Sequence, residues 1–389
     1  MTATGASSER PGPGAASSSG ALDGVVVADF SRVLAGPYAT MLLADLGAEV
    51  VKVERPGAGD DTRHWGPPYA ADGQSTYFTG VNRNKSTVWL DLATDDGRDE
   101  ARALALRADV VVENFKPGGM DRMGLGHAAL SAENPRVVVC SISGFGSGEG
   151  ANLPGYDLLV QAMGGLMSVT GPGAGHPTKV GVALVDVVTG LHAVYGILAA
   201  LRHRDRTGEG QHVEVNLLSS LLSALVNQAS SYVAGDVVPG ILGNDHPSIT
   251  PYGVYATGDR PLVLAVGNDG QFRSLCRVLA RPHLADDERF ATNPARVSHR
   301  AELRGLLEAA LGADGAGGWH SALTAAGVPC GPINDIAGAF ELATSLGLDP
   351  MVPVPGSVVP QVANPLRLSA TPPTYRLPPP AMPSFSDAP

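Results

Sequence analysis

Short apolar runs alternate with helical segments through the first half of the chain, and this alternation restricts the fold more than any other feature. Val25–Asp29 and Glu49–Glu54 read as strands, and Tyr38–Leu46 between them reads as a helix. The same strand and helix alternation recurs as far as Ile142. Because parallel strands need helical crossovers, the pattern predicts an α/β domain with a parallel, doubly wound sheet. Its ligand crevice should lie at the carboxyl ends of the strands.

The pattern changes after about Gly235, where a different kind of domain is expected. Tyr252–Tyr255 and Leu262–Val266 are predicted strands, and a predicted helix runs from Gln271 to Leu279. This mixture favours a smaller α+β domain. The residues after Ala370 are rich in proline and lack periodicity, so we expect a loose tail.

Charge and cysteine content exclude several classes of partner. The 389 residues carry a formal net charge of -11, which repels a nucleic-acid backbone. The 3 cysteines form no C-x-x-C pair, which argues against a disulfide framework or thiolate metal site and fits a cytoplasmic protein. Residues 1–20 are mostly Ser, Gly, Ala and Pro, with Glu9 and Arg10 as their only charges and no apolar core of a signal peptide, so a disordered leader is expected.

An apolar stretch over Val180–Leu201 has the length of a membrane span, but it carries Asp186 and His192. A carboxylate at mid-bilayer costs about 3 kcal/mol on insertion scales, so a buried helix of a soluble protein is the prediction. No membrane partner is therefore expected.

Motifs for common cofactors are missing from the sequence. The first strand is not followed by G-x-G-x-x-G, and there is no P-loop, G-x-S-x-G or H-E-x-x-H motif. NAD, ATP, serine-hydrolase and zinc chemistry therefore lack their strongest sequence support, and no cofactor or metal is expected.

Asp186 is the acidic residue that most needs an explanation, because its neighbours from Leu184 to Gly190 are mostly apolar. It could cap a helix predicted over Val187–Arg202, or it could be catalytic. The two interpretations are compatible. The positive end of the helix dipole would favour the ionised carboxylate and keep a nucleophile available at neutral pH.

Two further features could bind substrate groups. The segment from Gly267 to Gly270 could form a lid that offers N–H groups to an oxyanion. Arg55 and Arg122 could bind phosphates, although a solvated surface charge is the ordinary role of a single arginine.

Several motifs, in order along the chain, resemble those of the class III CoA-transferases: Asp29-Phe-Ser-Arg-Val-Leu-Ala-Gly-Pro37, Asn82-Arg-Asn-Lys85, Val112-Glu-Asn-Phe-Lys-Pro-Gly118, Asp121-Arg-Met-Gly124, Gly155-Tyr-Asp157 and Thr207-Gly-Glu-Gly210. The resemblance extends from Leu22 to about Ala370. The segments Asn216-Leu-Leu-Ser-Ser220 and Gly327-Val-Pro-Cys-Gly-Pro-Ile-Asn334 are most similar to the succinyl-CoA:dicarboxylate branch, which includes the succinyl-CoA:glutarate enzymes.

This resemblance implies that Asp186 is the nucleophile that carries an acyl group and then CoA between two acids, without a metal or redox cofactor. The implied partners are an acyl-CoA and a small carboxylic acid. The positions implied for CoA binding are Leu34, Ala35, Arg55, Leu90, Asn114, Phe115, Arg122 and Tyr156.

The family also implies an architecture, namely an interlocked, ring-like homodimer whose large domain is Rossmann-like. We therefore expect the large CoA-binding domain over 22–225 and the small α+β domain over 226–330. A return segment over 331–370 should complete the large domain, between a leader over 1–21 and a tail over 371–389.

Three departures from the family pattern bear on substrate and stability. Leu34 and Pro154 occupy positions that carry glutamine and lysine in formyl-CoA transferases, which makes formyl or oxalyl transfer less expected. The usual C-terminal helix is also absent from the sequence.

Candidates for binding a distal carboxylate of the acceptor are Arg32, Arg63, His246 and Arg296.

Two other functions remain open. An α-methylacyl-CoA racemase of the same fold needs a second base opposite the aspartate, and the matching position holds Tyr156, a poor base at neutral pH. A catalytically silent CoA-binding scaffold is the alternative of another class.

Overall fold

A computed structural model of the chain describes residues 20–383. Most of the predicted leader and the last residues of the predicted tail therefore lie outside the described residues. The chain divides into two compact units. The first comprises the described residues up to Gly164, then Val182–Ala229, then the described residues from Asp349; the second comprises Gly165–Gly181 and Ser230–Leu348. The chain thus returns to the first unit at Asp349, later than the predicted 331, and leaves it briefly after Gly164.

The strands, in chain order, are β1 (Val26–Asp29), β2 (Glu49–Glu54), β3 (Lys85–Trp89), β4 (Val110–Glu113), β5 (Val138–Ser143), β6 (His212–Asn216), β7 (Tyr252–Tyr255), β8 (Leu262–Ala265), β9 (Cys330–Pro332), β10 (Met351–Val352) and β11 (Gln361–Val362). The α-helices are α1 (Ala35–Asp45), α2 (Thr76–Thr79), α3 (Asp95–Arg107), α4 (Gly119–Arg122), α5 (His127–Glu133), α6 (Asp157–Met163), α7 (Leu166–Val169), α8 (Leu184–Thr207), α9 (Leu217–Ala224), α10 (Val226–Val233), α11 (Asp269–Val278), α12 (Asn293–Ser298), α13 (Arg300–Leu311), α14 (Ala316–Ala325) and α15 (Ile336–Ser345).

The first unit is built on a six-stranded parallel sheet with the order β3-β2-β1-β4-β5-β6. Its central strands are runs of valine that helices cover on both faces, as the burial of Val27, Val111 and Val139 shows. The predicted parallel α/β sheet is confirmed. The strand order reverses between β1 and β4, and loops at the carboxyl ends of those strands therefore diverge and leave a crevice.

Helix α8 is longer than the helix predicted over Val187–Arg202. By length and composition it could cross a membrane, but in the structure it packs on α1 and on strands β5 and β6. Val185, Ile197 and Leu201 are buried on that face. Arg204 near its end pairs with Asp109 at 2.7 Å.

The C-terminal segment is not a loose tail as far as the structure describes it, so that prediction is wrong for 371–383. The N–H of Thr374 donates to the carbonyl of Asp45 at 2.8 Å, and the N–H of Arg376 donates to Asn84 Oδ1 at 2.6 Å. The Arg376 guanidinium also donates to the Ala48 carbonyl at 2.9 Å. A proline-rich chain has few N–H groups for regular structure, but here it is held by polar groups of the folded unit.

The second unit contains the antiparallel sheet β7-β8-β9 and helices α11 to α15. Its core includes Phe272, Phe290 and Leu307. Arg296 is only 1% exposed, and it donates to the carbonyl oxygens of Thr250 and Phe290 at 2.7 and 2.9 Å.

Candidate functional site

Two adjoining cavities lie in the first unit at the carboxyl edge of the sheet, one at the ends of β1, β4 and β5 and the other at the ends of β1, β2 and β3. The Asp186 cavity, of about 250 Å³, is lined among others by Leu34, Ala35, Asn114, Phe115, Tyr156 and Asp186. The Arg55 cavity, of about 350 Å³, is lined among others by Arg55, Leu90 and Phe115. Arg32, Asp61 and Phe115 line both, so the cavities share a wall. Together they form an elongated depression at the switch point of the sheet.

Asp186 lies in the first turn of α8, whose N-cap is Ala183, so the prediction that Asp186 caps this helix is wrong. Asp157 performs that role from another helix. Its Oδ1 accepts the N–H groups of Val185 at 2.8 Å and Asp186 at 3.2 Å, and its Oδ2 accepts from Gln161 Nε2 at 2.6 Å. Asp157 therefore fixes the turn of α8 that carries Asp186.

The expected ionised state of Asp186 also needs correction. Burial, together with the negative charge of Asp157, raises the pKa of Asp186 to about 7. Asp157 already accepts the N–H groups of Val185 and Asp186, so these donors of the first turn are not available to the Asp186 carboxylate. Asp186 is consequently poised between its acid and its carboxylate at neutral pH.

A close helix contact brings Asp186 to the loop after β1. A Cβ on Gly190, one turn after Asp186, would lie 2.8 Å from the carbonyl oxygen of Ala35. Only glycine allows α8 to approach the start of α1 so closely. Leu34 and Ala35 therefore line the same cavity as Asp186.

Buried charges hold that loop in place. Lys52 Nζ donates to the Ser31 carbonyl at 2.8 Å and pairs with Asp60 at 2.9 Å. The Asp60 carboxylate accepts the N–H of Val33 at 3.3 Å, and Val33 has a φ of 73°. A valine in this region is strained, so the surrounding bonds must impose the conformation.

Asn114 joins the loops that follow β1 and β4. Its Oδ1 accepts the N–H of Arg32 at 3.0 Å, and its Nδ2 donates to the Arg32 carbonyl at 2.7 Å. The Arg32 guanidinium lies 5.7 Å from the Phe115 ring centroid. The Asn114 side chain thus positions Arg32 and its neighbours.

The remaining predicted site residues do not all lie in the two cavities. Tyr156 is 63% exposed at the mouth of the Asp186 cavity. Arg122 is exposed and lines neither cavity, although it lies near Gly118. Gly267 and Gly270 belong to the second unit at the start of α11, where Gly267 N–H donates to Gln271 Oε1 at 2.8 Å. The expected free loop is therefore part of a capped helix.

The four residues predicted to bind a distal carboxylate differ in the bonds they already make and in whether they line the Asp186 cavity. Arg296 is buried among its own partners, and Arg63 is bonded to Glu54 and stacks 3.8 Å from the Phe78 ring centroid. His246 Nδ1 accepts the N–H of Ser248 at 3.1 Å. Of the four, Arg32 lines the Asp186 cavity, and its side chain is 50% exposed with Asp61 at 3.6 Å.

The sequence reasoning missed two residues near Asp186. Asp157 directly follows Tyr156, and the Gly155-Tyr-Asp157 motif could have indicated it, because that motif contains an acidic residue. Tyr77 is distant in sequence and gave no signal. Burial and the charges of Asp186 and Asp157 raise the pKa of Tyr77 to about 12, which keeps its hydroxyl neutral. Among residues 20–383, no cluster of three or more His, Cys, Asp or Glu side chains has a metal-binding arrangement.

Comparisons with known proteins cover nearly the whole chain. The model of CoA-transferase family III matches residues 22–383. A succinate–glutarate CoA-transferase from Agrobacterium fabrum is 44% identical over 371 residues, which are 93% of this chain and 92% of that protein. An acetyl-CoA:oxalate CoA-transferase from Acetobacter aceti is 40% identical over 352 residues, or 90% of each protein. The crystal structure of a CAIB/BAIF family protein from Brucella suis is 42% identical, with a TM-score of 0.84 and coverage of 94% of this chain and 97% of that one. The matched segments include the lining of both cavities.

Proposed function

Because the chain belongs to the family III CoA-transferases, we propose that this enzyme moves CoA from succinyl-CoA to a dicarboxylic acid, with Asp186 as the covalent carrier. The observation that carries the proposal is the position of Asp186, a partly buried carboxyl that lines a cavity beside Asp157, where burial and the charge of Asp157 raise its pKa to about 7. Its cavity adjoins the Arg55 cavity. A carboxylate kept free of cations remains available as a nucleophile.

The proposed reaction is a sequence of four carbonyl substitutions. An Asp186 carboxylate oxygen attacks the succinyl thioester carbonyl, the C–S bond breaks and CoA leaves as a thiolate, which gives a mixed anhydride. The thiolate attacks the Asp186 carbonyl and releases succinate, which leaves CoA on Asp186 as a thioester. The acceptor carboxylate then repeats these steps in reverse and restores Asp186. Every step exchanges one acyl bond for another, so no redox cofactor or metal is required.

The two cavities suit the two ends of the acyl-CoA. Arg55 can bind the phosphates, and Leu90 and Phe115 offer apolar surface to the adenine ring. The pantetheine arm would then pass Phe115 and bring the thioester to Asp186. Exclusion of water around Asp186 would protect the anhydride from hydrolysis.

The proposed acceptor is a dicarboxylate that uses Arg32 for its distal carboxylate. Arg32 lines the Asp186 cavity and is half exposed, with a single carboxylate, Asp61, at 3.6 Å. An arginine with free donors can bind a carboxylate in bidentate geometry. The names of the relatives from Agrobacterium and Acetobacter include glutarate and oxalate, both dicarboxylates.

We further propose a cytoplasmic homodimer. Leu191 and Tyr195 lie one turn apart on the same side of α8 and are 45% and 64% exposed. Neighbouring exposed apolar side chains of this kind support an interface on this helix. Light scattering at several concentrations should give the mass of two chains, and a monomeric mass throughout would contradict the dimer.

A direct transfer assay tests the function. The enzyme is incubated with succinyl-CoA and glutarate, and glutaryl-CoA is sought by mass spectrometry. Hydroxylamine added to the enzyme with succinyl-CoA should convert the activated Asp186 carbonyl to a hydroxamate, which peptide mapping can locate. Deuterium entering a chiral 2-methylacyl-CoA in D2O without transfer would instead indicate racemase chemistry. CoA binding with neither reaction would indicate a scaffold.

A further inference from the structure

A third cavity, here called the histidine cavity, adjoins the Asp186 cavity in the first unit. It has a volume of about 210 Å³, and its lining includes Glu113, Phe115, His127, Ser141 and His212. Phe115 lines this cavity as well as the Asp186 and Arg55 cavities. A contact that fixes Phe115 from the histidine cavity therefore acts on the walls of both cavities assigned to the acyl-CoA.

A carboxylate under the loop supplies such a contact. Glu113 ends β4 and is 8% exposed, and its Oε2 accepts the N–H of Phe115 at 2.8 Å. Between these two residues lies Asn114, which holds the Arg32 backbone by two hydrogen bonds. The Glu113 carboxylate thus closes a turn that presents Asn114 to one loop and Phe115 to the cavities.

Ser141 holds that carboxylate from the next strand. Glu113 and Ser141 are register partners on β4 and β5, so their side chains lie on the same face of the sheet. Ser141 lies close enough to the Glu113 carboxyl to lower its pKa, although burial raises that pKa overall, and the Ser141 hydroxyl lies 2.9 Å from His212 Nε2. The His212 ring stacks on His127, with centroids 5.1 Å apart and planes 9° apart, which fixes the orientation of the imidazole.

The hydrogen-bonding capacity of these groups permits one continuous arrangement. A serine hydroxyl has one proton to donate and can also accept. With the His212 proton on Nε2, Ser141 accepts from His212 and is free to donate to Glu113, whose Oε2 also accepts the N–H of Phe115.

We propose that His212, Ser141 and Glu113 are positioning residues that hold the Asn114–Phe115 turn in the conformation that receives CoA. The inference rests on the proposed function, because it takes the Arg55 and Asp186 cavities as the CoA site. None of the three residues touches the reacting atoms, so they act on CoA affinity and leave the chemical step unchanged.

The test compares Ser141→Ala with the unmodified enzyme. Loss of the hydroxyl frees the Glu113 carboxylate to turn away from Phe115, and we expect KM for the acyl-CoA and the dissociation constant for free CoA to rise about fivefold. The value of kcat should stay within about twofold. His212→Ala removes only the outer link and should raise both constants about twofold.

Controls distinguish positioning from general structural damage. Ser141→Thr keeps the hydroxyl and should restore most of the CoA affinity, and Ser147→Ala, at the exposed rim of the same cavity, should have no effect. Thermal unfolding of each variant checks that it folds. Calorimetric titration with free CoA needs no transfer reaction, so it measures CoA affinity independently of catalysis.

If the unmodified enzyme fails to bind CoA, the proposed function fails. If it binds CoA and Ser141→Ala binds equally well, or if Ser141→Ala lowers kcat with KM unchanged, the positioning role is overturned.

Discussion

Two groups of buried carboxylates in the first unit show opposite electrostatic behaviour. Burial alone raises the pKa of Asp29, but the charges of Lys85 and Lys52 and hydrogen bonds from Ser31 and Thr40 lower it to about 2. Burial and a neighbouring carboxylate raise the pKa of Asp186 to about 7. Desolvation acts in the same direction on both, so the presence or absence of a cation decides the outcome.

This difference separates a structural role from a chemical one. The Lys52 and Lys85 ammonium groups fix Asp29 and Asp60 as permanent anions that hold the loop after β1. Asp186 lines a cavity beside Asp157, and burial together with the negative charge of Asp157 raises its pKa. A permanent ion pair would have stabilised it but would have weakened it as a nucleophile.

The largest effect is expected from Asp186→Asn, which keeps the shape of the side chain and removes the nucleophile. Transfer should fall by at least about a thousandfold, since the amide that replaces the carboxylate cannot form the acyl anhydride. Mass spectrometry of the product measures the loss, and CoA titration should show nearly unchanged binding. Full activity in this variant would remove Asp186 from the mechanism.

Removal of a cation from the structural group should destabilise the fold. Lys52→Met leaves Asp60 and Asp29 without one of their counter-charges, and the free energy of unfolding should drop by about 3 to 5 kcal/mol. Urea unfolding measures it. The exposed Lys179 provides a matched control, because Lys179→Met should change stability by less than about 0.5 kcal/mol. Equal effects of the two substitutions would contradict the assigned role of Lys52.

The same Asp186→Asn variant should be more stable than the unmodified enzyme at pH 8. The folded state retains the Asp186 proton up to about pH 7, whereas the unfolded chain loses it near 3.8. Between these values the unfolded state binds fewer protons, so stability falls as pH rises and the loss is complete above about pH 7. The gain in the variant should be on the order of 2 kcal/mol, discounted for partial exposure. It should disappear near pH 4, as unfolding curves at both pH values would show.

The smallest expected effect is a shift in the pH dependence of transfer when the negative charge of Asp157, next to Asp186, is removed. For the unmodified enzyme, kcat/KM should rise with pH and reach half its plateau near pH 7, the pKa of Asp186. Asp157→Asn keeps an oxygen for the N–H groups of Val185 and Asp186 but removes the negative charge. The midpoint should move to lower pH by about one pH unit. A midpoint that stays near pH 7 would mean that burial alone sets the pKa of Asp186.

Much of the fold could be read from local patterns. Valine-rich runs such as Val110–Glu113 form central parallel strands, because a strand buried on both faces must be apolar throughout. The segments around Leu34 and Asn114 are recognisable as motifs, and they meet because the sheet topology brings the ends of β1 and β4 to one edge, where the start of α8 adds Asp186. Local sequence was sufficient for these features.

The partners of individual side chains could not be predicted from local sequence patterns. Arg63 and Arg296 looked available for substrate, but they are held by Glu54 and by Asp269 with nearby carbonyl groups. The C-terminal prolines suggest a loose tail, yet Arg376 donates to the carbonyl groups of Ala44, in the last turn of α1, and of Ala48, which follows it. The partners of Arg296 and Arg376 are distant in sequence, and even Glu54, which lies 9 residues before Arg63, meets it only through the path of the folded chain.

The sequence by itself determined the parallel sheet, the loops at its carboxyl edge and the presence of an acidic residue in an apolar segment, because periodicity and residue type act locally. The tertiary structure alone decided that Asp157, and not Asp186, caps α8, and that Asp186 shares its surroundings with a like charge. A carboxyl group takes its proton affinity from burial and neighbouring charge, and both exist only after the chain has folded.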